Sequence, residues 1–158
     1  MKKKKVKSIG CILMLVLCMF VVSFDVHAEE GRKQIDGSYL TDESESIGYA
    51  TQIVRGVDLM AGYSKCVRLA NGNLYVGGTT IAEHTVERIG LAVVIERAKE
   101  EDTSWEGYES WIVREENTDR IASSKELKVE GGYYYRVKCI HSANDDVSSS
   151  FTNGVYIK

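Results

Sequence analysis

The chain has 158 residues, with 20 basic and 23 acidic side chains and no proline. That length suits a single domain. Five lysines crowd the first seven residues, so the part from Glu29 onward carries 15 basic against 22 acidic residues. Such an acidic domain is repelled by phosphate backbones and anionic lipid, which argues against nucleic acid as a partner.

Residues 1–28 read as a cleavable export signal. Lys2, Lys3, Lys4, Lys5 and Lys7 precede an apolar run from Ile9 to Val22. Those 14 residues suit a signal core. They fall short of the roughly 18–20 that span a bilayer, which argues against the alternative of an uncleaved anchor. Val26-His27-Ala28 places small or apolar residues where a signal peptidase reads, so cleavage is expected after Ala28. Leu17 precedes Cys18 and almost no apolar run precedes Cys11, so neither cysteine sits in a lipoprotein signal. The expected product is secreted and extracellular, with no membrane contact after cleavage.

Residues 29–62 are rich in Glu, Asp, Ser and Gly, and read as a polar, mostly irregular leader. Ile53, Val54, Val57 and Leu59 are its densest apolar group. A β domain is expected over 63–158. Tyr63 to Leu69 is its first strand, and Ala70-Asn71-Gly72-Asn73 its first hairpin turn. Leu74 to Ala82 is the second strand. Glu87 to Arg97 is the clearest, because Ile89, Leu91, Val93 and Ile95 alternate with smaller or polar residues. A helical reading of the charge-rich stretch 83–101 conflicts with that β-branched alternation. Ala98 to Gly107 is a charged loop. Strands follow at Trp111 to Glu115, Lys125 to Glu130, Tyr133 to His141 and Ser149 to Ile157, with a corner at Gly131-Gly132. Seven short strands predict an antiparallel β-sandwich.

Leu127 followed by Tyr133-Tyr134-Tyr135-Arg136-Val137-Lys138-Cys139 resembles the E–F corner of a fibronectin type III or immunoglobulin-like domain. The resemblance covers residues 87–157. It implies that Tyr133 is the corner tyrosine, whose hydroxyl bonds back to the backbone, and that Tyr135, Val137 and Cys139 face the core. The usual prolines and the early strand-B tryptophan are missing. Gly78-Thr79 and Tyr135-Arg136-Val137 also give the chain a likeness to small secreted proteins of Gram-positive bacteria from families of unknown function. Neither resemblance implies an activity.

No residue set suggests catalysis, a metal or a cofactor. His84 and His141 lack neighbouring ligands at metal spacing. Ser148, Ser149 and Ser150 lie near His141 but in no nucleophile elbow. Asn144-Asp145-Asp146 lacks the spacing of a calcium loop, and the acidic runs 100–102 and 115–116 read as solvated. Trp105, Tyr108 and Trp111 are the candidate binding residues, since intervals of three cannot all face one core from one strand. Cys66 and Cys139, the cysteines beyond the signal, are a candidate disulfide. Simple alternation resists it, because Cys66 falls on the face opposite Val67 and Leu69. The expected function is a non-enzymatic interaction module for a protein or glycan. The alternatives are a divergent secreted hydrolase and a bacteriocin-like factor.

Overall fold

The computed structural model describes residues 31–50 and 56–158. The expected signal and its cleavage point, together with Ile53 and Val54, lie outside the described residues. Nine strands and no helix occur among those described. They are β1 (Gln34–Ile35), β2 (Ser38–Thr41), β3 (Glu45–Tyr49), β4 (Leu59–Arg68), β5 (Leu74–Ala98), β6 (Glu106–Leu127), β7 (Tyr133–Ala143), β8 (Asp146–Phe151) and β9 (Gly154–Ile157). The chain is all-β, and its sheet is mixed. The order is β1-β2-β9-β7-β5-β4-β3, with β6 on β5 and β8 on β7. The β2–β9 pair is parallel. The expected seven-stranded, wholly antiparallel arrangement is therefore corrected to nine strands in one curled, mixed sheet.

The curl comes from β5, which joins two expected strands into one. Its first half pairs with β4 and its second half with β7. Between them the β5–β6 register jumps from Ile81↔Arg120 to Val86↔Thr118, so several β5 residues oppose one on β6. An irregularity of this kind bends a strand. Nearby on β6, Asn117 adopts a φ of 55°, a conformation that asparagine tolerates better than most residues. The two halves of the sheet thus turn their inner faces toward each other. Leu74, Val76 and Cys66 from one half, and Leu91, Val93, Ile95, Val137 and Cys139 from the other, form one core. Each large aliphatic side chain removed from water there contributes about 2 kcal/mol.

Two expected strands, Trp111 to Glu115 and Lys125 to Glu130, merge into β6. Their polar connection continues along the free edge of β5. An edge strand needs no second apolar face, and its charges discourage pairing with other chains.

The polar leader is also corrected. Asp36 (φ 44°) and Gly37 (φ 79°) form a two-residue turn with both φ angles positive, and Ile35 pairs with Ser38 across it. This is the hairpin chemistry of an Asp-Gly pair. Ile35 and Leu40 from this hairpin pack with Ala98, Trp105 and Tyr134 in a second, small core. Leu59, already on β4, belongs to the main core. The domain therefore begins upstream of the expected boundary at residue 63.

Arg136 fastens the hairpin. Its guanidinium is almost fully buried and makes four hydrogen bonds. Nε donates to Glu96 at 2.7 Å, Nη1 to the Asp36 carbonyl at 2.9 Å and Ser38 Oγ at 3.0 Å, and Nη2 to Asp36 Oδ2 at 2.9 Å. A planar fork with five donors suits that cradle, and a buried charge needs it. The same interaction holds the Asp36 carboxyl below the usual carboxylate range.

Candidate functional site

The sequence-predicted binding residues do not form a shared surface. Trp105 is a structural clamp: its Nε1–H donates to the Ile35 carbonyl at 2.8 Å, and its ring lies 4.6 Å from the Arg136 guanidinium. Tyr108 is the extra residue of a β-bulge, between the pairs Glu96↔Gly107 and Ile95↔Glu109. The bulge leans its ring edge-on against Tyr135 at 5.5 Å, beside Arg97. Trp111 packs on the main core, donates from Nε1 to Ser123 Oγ at 2.9 Å, and lies under Lys125. The intervals of three thus separate the rings instead of gathering them.

Tyr133 is not the corner tyrosine. Tyr135, two residues on, donates its hydroxyl to the Glu130 carbonyl at 2.9 Å. Tyr133 lies on the same side but nearer the corner, where its ring carries the Arg97 guanidinium at 4.5 Å. Burial and the neighbouring Tyr108 push the Tyr135 hydroxyl pKa up, while Arg97 and the Glu130 backbone act the other way.

Cys66 and Cys139 are both buried, and both are free thiols. The inward set of β4 is Gly62, Ser64 and Cys66, while Val67 pairs with Tyr75 on the outer face. Both sulfurs therefore lie inside, yet they engage different carbonyls. Cys66 Sγ donates to Tyr135 O at 3.4 Å and Cys139 Sγ to Gly77 O at 3.9 Å. Burial raises both thiol pKa values, that of Cys139 to about 12, so both remain protonated.

His141, on β7, sits in the core at 0% exposure. Thr80 Oγ1 lies 2.9 Å from its Nδ1, and Ser150 Oγ lies 2.8 Å from its Nε2. Thr80 gives its one proton to the Gly90 carbonyl at 3.0 Å. It must therefore accept from Nδ1–H, which leaves Nε2 to accept from Ser150. A hydroxyl on Nε2 is the geometry of an activated nucleophile. However, Ser150 is 1% exposed and the third partner is a hydroxyl, not a carboxylate. The group is closed to substrate and fixes the core. Burial alone lowers the His141 pKa to about 4.

The remaining sequence candidates serve local structure. Asp146 Oδ2 accepts the backbone N–H groups of Asp58 and Leu59 at 2.8 and 3.0 Å, which lowers its pKa and fixes the start of β4. That carboxylate is engaged and unsuited to calcium. His84 pairs with Asp58 at 3.0 Å. Among the described residues, no group of three or more His, Cys, Asp or Glu side chains could hold a metal.

A groove of about 430 Å³ lies instead on the half of the sheet built from β3, β4, β5 and β6. Ile47, Tyr49, Tyr63 and Tyr75 supply its apolar walls. Tyr49 is 65% exposed and meets Tyr63 edge-on at 5.9 Å. The floor is small: Gly77, Gly78, Thr79, Ala122, Ser123 and Ser124. Gly77 is needed there, since a Cβ would lie 2.5 Å from the Ser123 carbonyl and 2.7 Å from Ser124 Cβ. Lys65 is the one charged lining residue, and Glu45 pairs with it at 3.0 Å. Tyr49 and Ile47 had been assigned to the leader and Tyr63 and Tyr75 to ordinary strands, so nothing local in the sequence signalled this site. The register brings them together: Tyr49↔Tyr63, Tyr63↔Thr79 and Gly77↔Ser124.

No protein family, curated protein or solved structure matches the chain.

Proposed function

We propose that this chain is a secreted, non-enzymatic binding module and that the tyrosine-walled groove over β3–β6 is its binding surface. The export signal read in residues 1–28 supports an extracellular place of action. The observation that carries the reading is the groove itself, which joins exposed aromatic rings to a floor of hydroxyls and glycines. Sites for small ligands share that character: concave, mostly apolar, with a few placed polar groups. The fibronectin-like resemblance is consistent with a module of this kind.

The test compares the purified protein with a Tyr49→Ala, Tyr75→Ala double variant, each immobilised and exposed to bacterial cell-envelope extract and culture fluid. Both side chains are on the outer face and 36% exposed or more, so the melting temperature should hold. The parent should retain a component that the variant loses. Equal retention by both, or none by the parent, refutes the reading.

A further inference from the structure

We infer that the ligand of this groove is an uncharged saccharide built from pyranose rings with equatorial hydroxyls. The inference rests on the reading of the groove as the binding surface, and adds the chemistry of what occupies it.

Three features of the lining converge. First, the walls are tyrosines with substantial open surface: Tyr49 is 65% exposed and Tyr75 36%. Aromatic rings attract the positively polarised edges of C–H bonds on their negative faces. A pyranose whose hydroxyls are equatorial turns a flat layer of C–H bonds to each side, and axial hydroxyls break that layer. Second, the floor presents hydroxyls. Thr79 and Ser124, on the same face as the tyrosines, line it, and each hydroxyl both donates and accepts. The rim of a sugar is made of groups with the same double capacity. Third, the groove is electrically balanced. Lys65 is its one charged lining residue, and the Glu45 carboxylate lies 3.0 Å away. A phosphate, carboxylate or sulfate ligand would have to compete with Glu45 for the one cation, and would lose hydration on entry.

The size is also selective. A hollow of about 430 Å³ lies in the range of small-ligand sites. A stable protein partner covers a far wider area, on the order of 800 Å² on each side. A peptide that adds a strand would lie along the edge of β3 or β6, whereas the tyrosine rings stand on the face of the sheet.

The experiment titrates the isotopically labelled purified protein with cellohexaose, chitohexaose, mannohexaose and oligogalacturonate, following amide and tyrosine ring signals. Cellohexaose or chitohexaose should shift Tyr49, Tyr63, Tyr75 and Gly77. Mannohexaose, with axial hydroxyls, and the anionic oligogalacturonate should bind more weakly. Tyr75→Ala should weaken the effective sugar about tenfold, and Tyr75→Phe much less, because the stacking ring remains. The proposal is overturned if neither equatorial sugar shifts the groove signals at concentrations up to about 10 mM. It is equally overturned if the shifts lie elsewhere, or if oligogalacturonate binds best. Should the sugars fail while the Tyr49→Ala, Tyr75→Ala variant still loses an envelope component, the saccharide assignment falls and the groove remains the binding surface. Should that variant lose nothing, the groove reading itself falls.

Discussion

Lowering the pH should destabilise this protein, and the share carried by His141 can be worked out. Its imidazole is neutral in the core, between Thr80 and Ser150, and burial lowers its pKa to about 4. In the unfolded chain the value returns to about 6.5. The charged form is the protonated one, so between these values the unfolded chain binds more protons than the folded one. The stabilisation is complete above about pH 6.5, falls with pH, and levels off below about pH 4. At pH 5 the linkage amounts to about 2 kcal/mol, and its limit is about 3 kcal/mol. Asp36 and Asp146 also have lowered pKa values, and they too weaken the fold in acid. The His141 share must therefore be isolated by difference. Urea melts of the parent and His141→Gln at pH 7, 6, 5 and 4 supply it: the variant is less stable at pH 7, but the gap narrows as pH falls. An NMR titration of the parent gives an independent reading, with the His141 ring signal constant down to about pH 5. Parallel stability curves, or a ring that titrates near pH 6.5, would refute the assignment of a neutral, dry imidazole.

Three further outcomes follow from the same packing. Tyr135→Phe removes the hydroxyl bonded to the Glu130 carbonyl and should cost about 1–2 kcal/mol in denaturant melts, more than Tyr133→Phe. Trp105→Ala should cost about 3 kcal/mol, because it unfastens Ile35 and uncovers Arg136, and backbone amides of β1 and β2 should exchange faster with deuterium. Cys66 and Cys139 should resist alkylation in the native protein, and both should label in urea without reductant; failure to label in urea would reveal a bridge.

How much was legible in the sequence depended on whether the signal was local. The alternation Ile89, Leu91, Val93 and Ile95 announced a half-buried strand, and those side chains are in the core. The turn at Asn71-Gly72 was also legible: Gly72 has a φ of 81°, and its N–H donates to the Leu69 carbonyl. Asp36-Gly37 carried an equally clear hairpin signal, but the surrounding residues are polar. What makes the hairpin stable is Arg136, 100 residues away in sequence. Cys66 was turned outward by the apolar character of Val67 and Leu69, although Val67 lies on the outer face, opposite Tyr75. Strand alternation says which residues share a face, but not which face is covered. The groove was illegible for the same reason. Tyr49, Tyr63, Tyr75 and Ser124 come from four strands, and only the register of β3, β4, β5 and β6 makes them neighbours.

The central claim is that binding belongs to the groove and not to the Trp105, Tyr108 and Trp111 segment. Retention of envelope material by three immobilised proteins tests it most directly: the parent, the Tyr49→Ala, Tyr75→Ala variant, and Tyr108→Ala, which alters the exposed ring of the other segment. The account predicts that the parent and Tyr108→Ala retain the same component and the groove variant does not. Loss by Tyr108→Ala with full retention by the groove variant would contradict it.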